Sequence, residues 1–288
     1  MIAGPPDDDV AVPTAVSDMA DGRTVRPVWM NTRGGVTFDV GEGPTQCFVK
    51  WAPADSGLDL PAEAARMTWA SGFTPVPAVL SSGADGEGDW LATAPLPGET
   101  AVSDRWRRDP ATAVAAVGAG LRALHDRLPV AGCPFSWSPP VRLARSDHRT
   151  ALRTARSTAG RSADRVGDDG AADDPRAQVR VSWDDAAHRG LTVAEARRIL
   201  DDPPPVDRLV VCHGDACAPN TLIDSGHWSG HVDLGALGVA DRWADIAIAT
   251  WSTRWNYGPG WEQALLDAYD IEPDPVRTSY YRLLWDMT

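Results

Sequence analysis

Disulfide chemistry has little to work with in this chain. Its four cysteines, Cys47, Cys133, Cys212 and Cys217, are too few for a disulfide framework and lack the paired spacing of a zinc site. Cys212 and Cys217 flank His213, which makes a metal site conceivable, but reduced thiols are the reading adopted. Positive charge is also scarce, with a formal net charge of -13. Nucleic acid and anionic membrane surfaces reward lysine and arginine, so this balance excludes both as favoured partners and suits a cationic one. No apolar run approaches the roughly 20 residues needed to span a bilayer. The first nine residues, Met1 to Asp9, have neither the basic start nor the apolar core of a secretion signal. What remains is a cytoplasmic protein, a monomer or weak dimer, whose 288 residues suffice for one catalytic unit in two lobes.

The stretch around which the chain is organised runs from Leu209 to Gly235. An apolar strand ending at Cys212 feeds a loop holding Gly214, Asp215 and Asn220. A second short strand, a polar turn at Asp224 to Gly226 and a third strand then lead to Asp233. This strand, loop and hairpin would bring Asp215, Asn220 and Asp233 together. Phosphoryl transfer from a nucleotide needs those residue types in one place. Magnesium takes hard oxygen ligands, so the Asp233 carboxylate and the Asn220 amide oxygen can hold it against phosphates. A metal-free carboxylate, Asp215, can orient an acceptor hydroxyl and receive its proton. Gly214 and Gly235 would let the backbone turn sharply. The bland alternative is a turn closing an ordinary hairpin.

The pattern His213-Gly214-Asp215, four residues, Asn220, then Asp233-Leu234-Gly235 resembles the aminoglycoside phosphotransferases and their kinase-like relatives, and the likeness continues through Ala236 to Ala247. The resemblance implies an α+β, two-lobed protein-kinase-like fold, with an N-terminal antiparallel sheet carrying one helix and a mainly helical C-terminal lobe. It implies magnesium and ATP, with GTP as an alternative, and a small cationic hydroxylated substrate. One departure stands out: these enzymes commonly follow the metal aspartate with Gly-Arg, whereas this chain has Gly235-Ala236. Either Arg242 or another cation substitutes, or transfer is weakened or redirected. Kinases of other small metabolites, and a nucleotide-binding regulator without catalysis, are the alternative functions.

Taken in order, residues 1–23 read as a loose arm, 24–97 as a nucleotide-binding lobe and 98–288 as a catalytic and substrate-binding lobe with a mobile insertion at 141–180. Strands are expected at 24–29, 36–40, 46–51, 74–80 and 90–94. The turn with Thr32 and Gly34 sits where a kinase-like fold places its nucleotide loop, although no Gly-Lys-Ser/Thr ends it. Lys50, in an otherwise apolar strand, either meets nucleotide phosphates or guards a sheet edge. Glu63, one turn into the next helix, either pairs with Lys50, as the resemblance implies, or favours the helix dipole. By the same resemblance the backbone of Ala94 and Leu96 would meet the adenine edge.

Asp109-Pro110 opens the central helix of the second lobe, whose Val114, Val117, Leu121, Leu124 and Leu128 share one face, with His125 beside that stripe as a packing residue. Thr192 to Glu195 is a capping box. The resemblance offers Asp185 and, near the end of the chain, Asp286 as acids for substrate amines. His213 braces the loop by hydrogen bonding and does not itself transfer a proton.

Overall fold

The computed structural model describes residues 4–6, 10–31, 33–144 and 188–288. Thr32, Asp185 and the expected insertion beyond residue 144 lie outside them.

Alternation of side chains across a pleated sheet organises the first lobe. Strands β1 (Val25–Met30), β2 (Val36–Val40), β3 (Cys47–Pro53), β4 (Val79–Ala84) and β5 (Gly88–Thr93) form an antiparallel sheet in the order β1-β2-β3-β5-β4. Val36, Phe38, Val40, Cys47, Val49 and Ala92 are buried on one face. Lys50, the next residue after Val49, therefore faces the opposite side, beside its register partner Leu91. That side is covered by helix α2 (Leu60–Ala70), capped by the Asp59 carboxylate accepting from the Ala62 amide, with Pro61 in its first turn.

Two expectations for this lobe are corrected. Residues 1–23 are not simply a loose arm, because Thr14–Ala20 form helix α1, which buries Val16 and Ala20 against the outer face of the sheet. Only two of its residues, Val16 and Ala20, are buried, too few to stand out in a stretch dominated by Asp, Pro and Ala. The fourth strand begins at Val79 where 74–80 was expected, since Pro75 and Pro77 have no amide hydrogen to donate to a ladder.

The second lobe is built on α4 (Pro110–Arg127), which follows the short α3 (Asp104–Arg107) and is capped by Asp109. Its buried stripe, Val114, Val117, Leu121 and Leu124, is enclosed by α6 (Trp243–Tyr257) and α7 (Glu262–Tyr269). Helix α5 (Val193–Leu200) carries the reciprocal Thr192–Glu195 capping box and packs on α8 (Pro275–Met287), which Asp274 caps. Two small sheets lie in this lobe. β7 (Leu209–Cys212) pairs with β10 (Gly238–Asp241), and β8 (Thr221–Asp224) lies between β6 (Glu99–Thr100) and β9 (His227–His231). This α+β architecture, sheet first and helices after, is the kinase-like fold. Among the described residues no helix is long and apolar enough to cross a membrane.

Candidate active site

Hairpin register decides what meets in the second lobe. Thr221 pairs with His231, and the Val232 amide donates to the Asn220 carbonyl at 3.0 Å, so Asn220, just before β8, and Asp233, just after β9, end up at the mouth of the hairpin. The Asn220 side-chain amide donates to the Asp215 carbonyl at 2.9 Å, which fixes its rotamer and leaves the amide oxygen on the other side. Asp233 adopts a left-handed backbone, φ 62°, unusual for a residue other than glycine.

The first lobe meets this hairpin through the Pro75 carbonyl, which accepts from the His231 amide at 3.2 Å, and through one ammonium group. Lys50 Nζ lies 2.9 Å and 3.1 Å from the two Glu63 carboxylate oxygens and 2.7 Å from Asp233 Oδ1, a residue 183 positions later in the chain. Space at Gly235 is tight: a Cβ on it would come within 3.3 Å of Glu63 Oε2, so that carboxylate would have to shift by a few tenths of an ångström. The sharp turn expected at Gly235 is taken by Asp233 instead, since Gly235 is not among the glycines with positive φ. Burial would lower the Lys50 pKa, but the Asp233 and Glu63 carboxylates more than reverse this and raise it, so the ammonium form is locked in. Burial would raise Asp233, and Lys50 overrides that and holds it low.

Asp215 has the opposite environment. Burial is the largest influence on its carboxyl, the negative charge of Asp233 adds to it, and the pKa rises. The carboxylate is bonded by the Cys217 thiol, which burial keeps protonated, while Oδ1 is buried and meets no donor among the described residues. His213 sits behind this loop. Its Nε2 faces the Val232 carbonyl at 2.9 Å, and its Nδ1 receives the Asp215 amide at 3.3 Å, so the imidazole clamps the loop to the hairpin. Gly214 has φ +84°, and a Cβ there would fall 2.3 Å from the Ala236 carbonyl oxygen, so both its conformation and its surroundings require glycine.

Beneath the loop, the fully buried Asp245 carboxylate accepts from the amides of His213 (2.6 Å) and Gly214 (2.8 Å) and contacts His125 Nε2 at 2.9 Å. His125 Nδ1 in turn meets the Tyr269 hydroxyl at 2.7 Å. The ligand atoms of His125, Cys212 and Asp245 lie within 4.8 Å of one another. With both imidazole nitrogens in hydrogen bonds and the Cys212 thiol bonded to the Asp241 carbonyl at 3.3 Å, they form a hydrogen-bonded foundation for the loop, not a metal centre.

The donor set at the cleft fits a hard divalent cation: one amide oxygen oriented by its own NH2 group and one carboxylate kept ionised. At the other expected positions the outcome is mixed. Gly34 takes φ +82° in the β1–β2 turn, but the amides of Arg33 and Gly35 both donate to Asn31 Oδ1 at 2.9 Å. The Ala94 amide is committed to the Ala78 carbonyl at 2.9 Å.

Residues 33–281 match the phosphotransferase enzyme family. An aminoglycoside 3'-phosphotransferase of Streptomyces fradiae is 36% identical over 245 residues, covering 81% of each chain. The chain belongs to the aminoglycoside phosphotransferase family. Among solved structures, a type VIII aminoglycoside 3'-phosphotransferase superposes with a TM-score of 0.68 at 29% identity, covering 93% of this chain and 94% of that one. The Streptomyces rimosus enzyme APH(3'')-Id, solved in complex with ADP and streptomycin, does so with a TM-score of 0.63 at 26% identity, covering 93% and 94%.

As an aminoglycoside phosphotransferase relative, the chain departs from expectation at two residues. Arg242 does not stand in for the arginine missing at Ala236: its guanidinium is held by Asp207 at 2.6 Å, at the far end of β10 from the metal loop. The Asp286 carboxylate is not an open acid, because it is enclosed and bonded to His188 Nδ1 at 2.6 Å. Two signals in the phosphotransferase sequence went unread. Asp245, the foundation of the loop, was quoted only as part of a likeness. Lys50 is the single lysine of the chain, every other Lys/Arg position being arginine, which sets it apart from any generic surface cation.

Proposed function

We propose that the protein transfers the γ-phosphoryl group of ATP to a hydroxyl of an aminoglycoside. The observation that carries this reading is the Lys50 bridge, which ties a strand lysine and a helix glutamate of one lobe to the acid of the Asp-x-Gly loop in the other. Glu63 holds Lys50 so that its ammonium faces the phosphates. Asn220 and Asp233 hold magnesium, which when bound neutralises charge building toward the leaving group. The acceptor hydroxyl lies against the Asp215 carboxylate. As its oxygen bonds to phosphorus and the bond to the ADP oxygen breaks, its proton passes to that carboxylate. The raised pKa of the Asp215 carboxyl, caused by burial and by the neighbouring Asp233 charge, supports this assignment. His213 and Asp245 hold the loop and take no proton. The Ala94 carbonyl and Leu96 amide meet the adenine edge, and Gly34 lets the turn bend over the phosphates. Amines of the substrate pair with acids at the mouth of the second lobe, where Asp286 contributes if an amine displaces His188.

A second reading, phosphorylation of another small hydroxylated amine, is favoured by Ala236 in place of arginine and by the prior engagement of Asp286. ADP release across a panel of aminoglycosides and amino alcohols, with and without magnesium, separates the two. Turnover of aminoglycosides that requires magnesium supports the first. Turnover confined to other alcohols overturns it. Because Lys50 is the sole side-chain amine, an amine-directed reagent provides an independent check: inactivation prevented by MgATP and mapped to Lys50 supports the placement of the phosphates, whereas modification of Lys50 with full retained activity argues against it.

A further inference from the structure

Behind the catalytic loop lies a cavity of about 10 Å³, room for the centre of one water molecule, lined by Val117 and Leu121 of α4, by Ala216, Cys217, Asn220 and Thr221 of the loop, and by the rings of His213 and His231. His231 is 2% exposed. Its Nδ1 lies 3.2 Å from Trp228 Nε1, and an indole nitrogen can only donate. Nδ1 is therefore an acceptor, the ring is neutral, and the proton sits on Nε2. That N–H is buried with no partner among the described residues.

We infer that this cavity binds one structural water, that His231 Nε2 donates to it, and that His231 through this water is a positioning residue for the loop carrying Asp215 and Asn220. A buried water needs two to four polar partners. Nε2–H supplies one, and Cys217, Asn220 and Thr221, which also line the cavity, carry polar atoms that can accept its two protons. The water thus joins the hairpin strand, two residues before Asp233, to the segment between Asp215 and Asn220, and sets the spacing of the two halves of the site. The kinetic consequence rests on the proposed role of Asp215, but the water itself does not.

A crystal structure at a resolution that shows ordered solvent is the direct test, with an expected peak about 3 Å from His231 Nε2. His231→Leu should abolish the peak and lower kcat about tenfold with the KM for nucleotide unchanged, since small misplacements of reacting groups cost rate more than binding. His231→Gln, which restores a donor at the same reach, should recover the peak and most of kcat. Should His231→Leu fail to fold, Val117→Leu fills the cavity from the opposite side and should displace the water with the same kcat loss. An empty cavity in the parent overturns the water site. A peak in the parent combined with undiminished kcat in the variants that lack it overturns the positioning role. Absence of aminoglycoside turnover would count against the proposed function and leave the solvent peak to decide this inference.

Discussion

Asp215 and Asp233 are two aspartates of one cleft, and their surroundings push them in opposite directions. Asp233 has the Lys50 ammonium at 2.7 Å and stays ionised against the effect of burial. Among the described residues Asp215 has no such partner and keeps one oxygen unbonded, and its carboxyl is raised by burial and by Asp233 itself. The same side chain thus becomes a fixed charge suited to a cation in one place and a proton acceptor suited to a hydroxyl in the other. Divergent pKa values within a shared site are how acid–base roles are divided in general.

The comparison breaks most sharply at Asp215 itself. Asp215→Asn should lower kcat about 10²- to 10⁴-fold, the usual range for losing a general base, with little change in the KM for nucleotide. Its stability should move the other way. A raised carboxyl pKa contributes stability that is complete below the unfolded-state value and lost as pH rises through the folded-state value. At neutral pH the ionised Asp215 is therefore a burden that asparagine removes. Thermal melting should show Asp215→Asn at least as stable as the parent at pH 7, with the gap closing in acid. A clear fall in melting temperature at pH 7 would mean that Asp215 is held by partners of its own, like Asp233.

Lys50→Met tests the other half. It should reduce kcat about 10²- to 10³-fold, as for loss of a preorganised charge contact, and also destabilise the fold by about 2 kcal/mol, because Glu63 and Asp233 are left as facing carboxylates. That is below the ~3–5 kcal/mol of a wholly buried pair, since the Asp233 side chain is 43% exposed. Urea unfolding and ADP release measure the two effects. Activity at full stability would show that the bridge is incidental.

The pH profile sharpens the same contrast. The acid limb of kcat/KM should lie above the ordinary carboxylate range, because Asp215 must be ionised and its pKa is raised. A limb at or below the ordinary range would assign it to another group. Asp245→Ala should leave two buried amides without an acceptor and cost about 3 kcal/mol in urea unfolding. The smallest effect is expected at Arg242→Ala, a partly exposed pair far from the cleft: less than about 1 kcal/mol and less than a twofold change in kcat. A large kcat loss there would reinstate it as the missing cation.

Much of the arrangement was legible before any coordinates. The spacing of Asp215, Asn220 and Asp233 marks a loop and hairpin, and β7, β8 and β9 form as that pattern requires. The caps at Asp109, Thr192 and Asp274 are local chemistry, readable from adjacent residues because donor and acceptor lie within three positions. Helix α1 was not legible, since its stability comes from Val16 and Ala20 meeting a sheet formed later in the chain. The start of β4 was missed by giving apolar content more weight than the prolines at 75 and 77. Asp245 escaped because a buried carboxylate and a surface one look alike in a sequence.

By itself, then, the sequence determined the residue types at the site and their spacing, and through Lys50, its lone lysine, which cation belongs there. Only the tertiary structure decided which carboxylate that lysine meets, that Arg242 and Asp286 are already engaged, and that burial and Asp233 raise the Asp215 carboxyl. The reason is physical: residue types and local turns follow from covalent neighbours, whereas the charge state of a carboxyl follows from burial and from partners as far as 183 positions away.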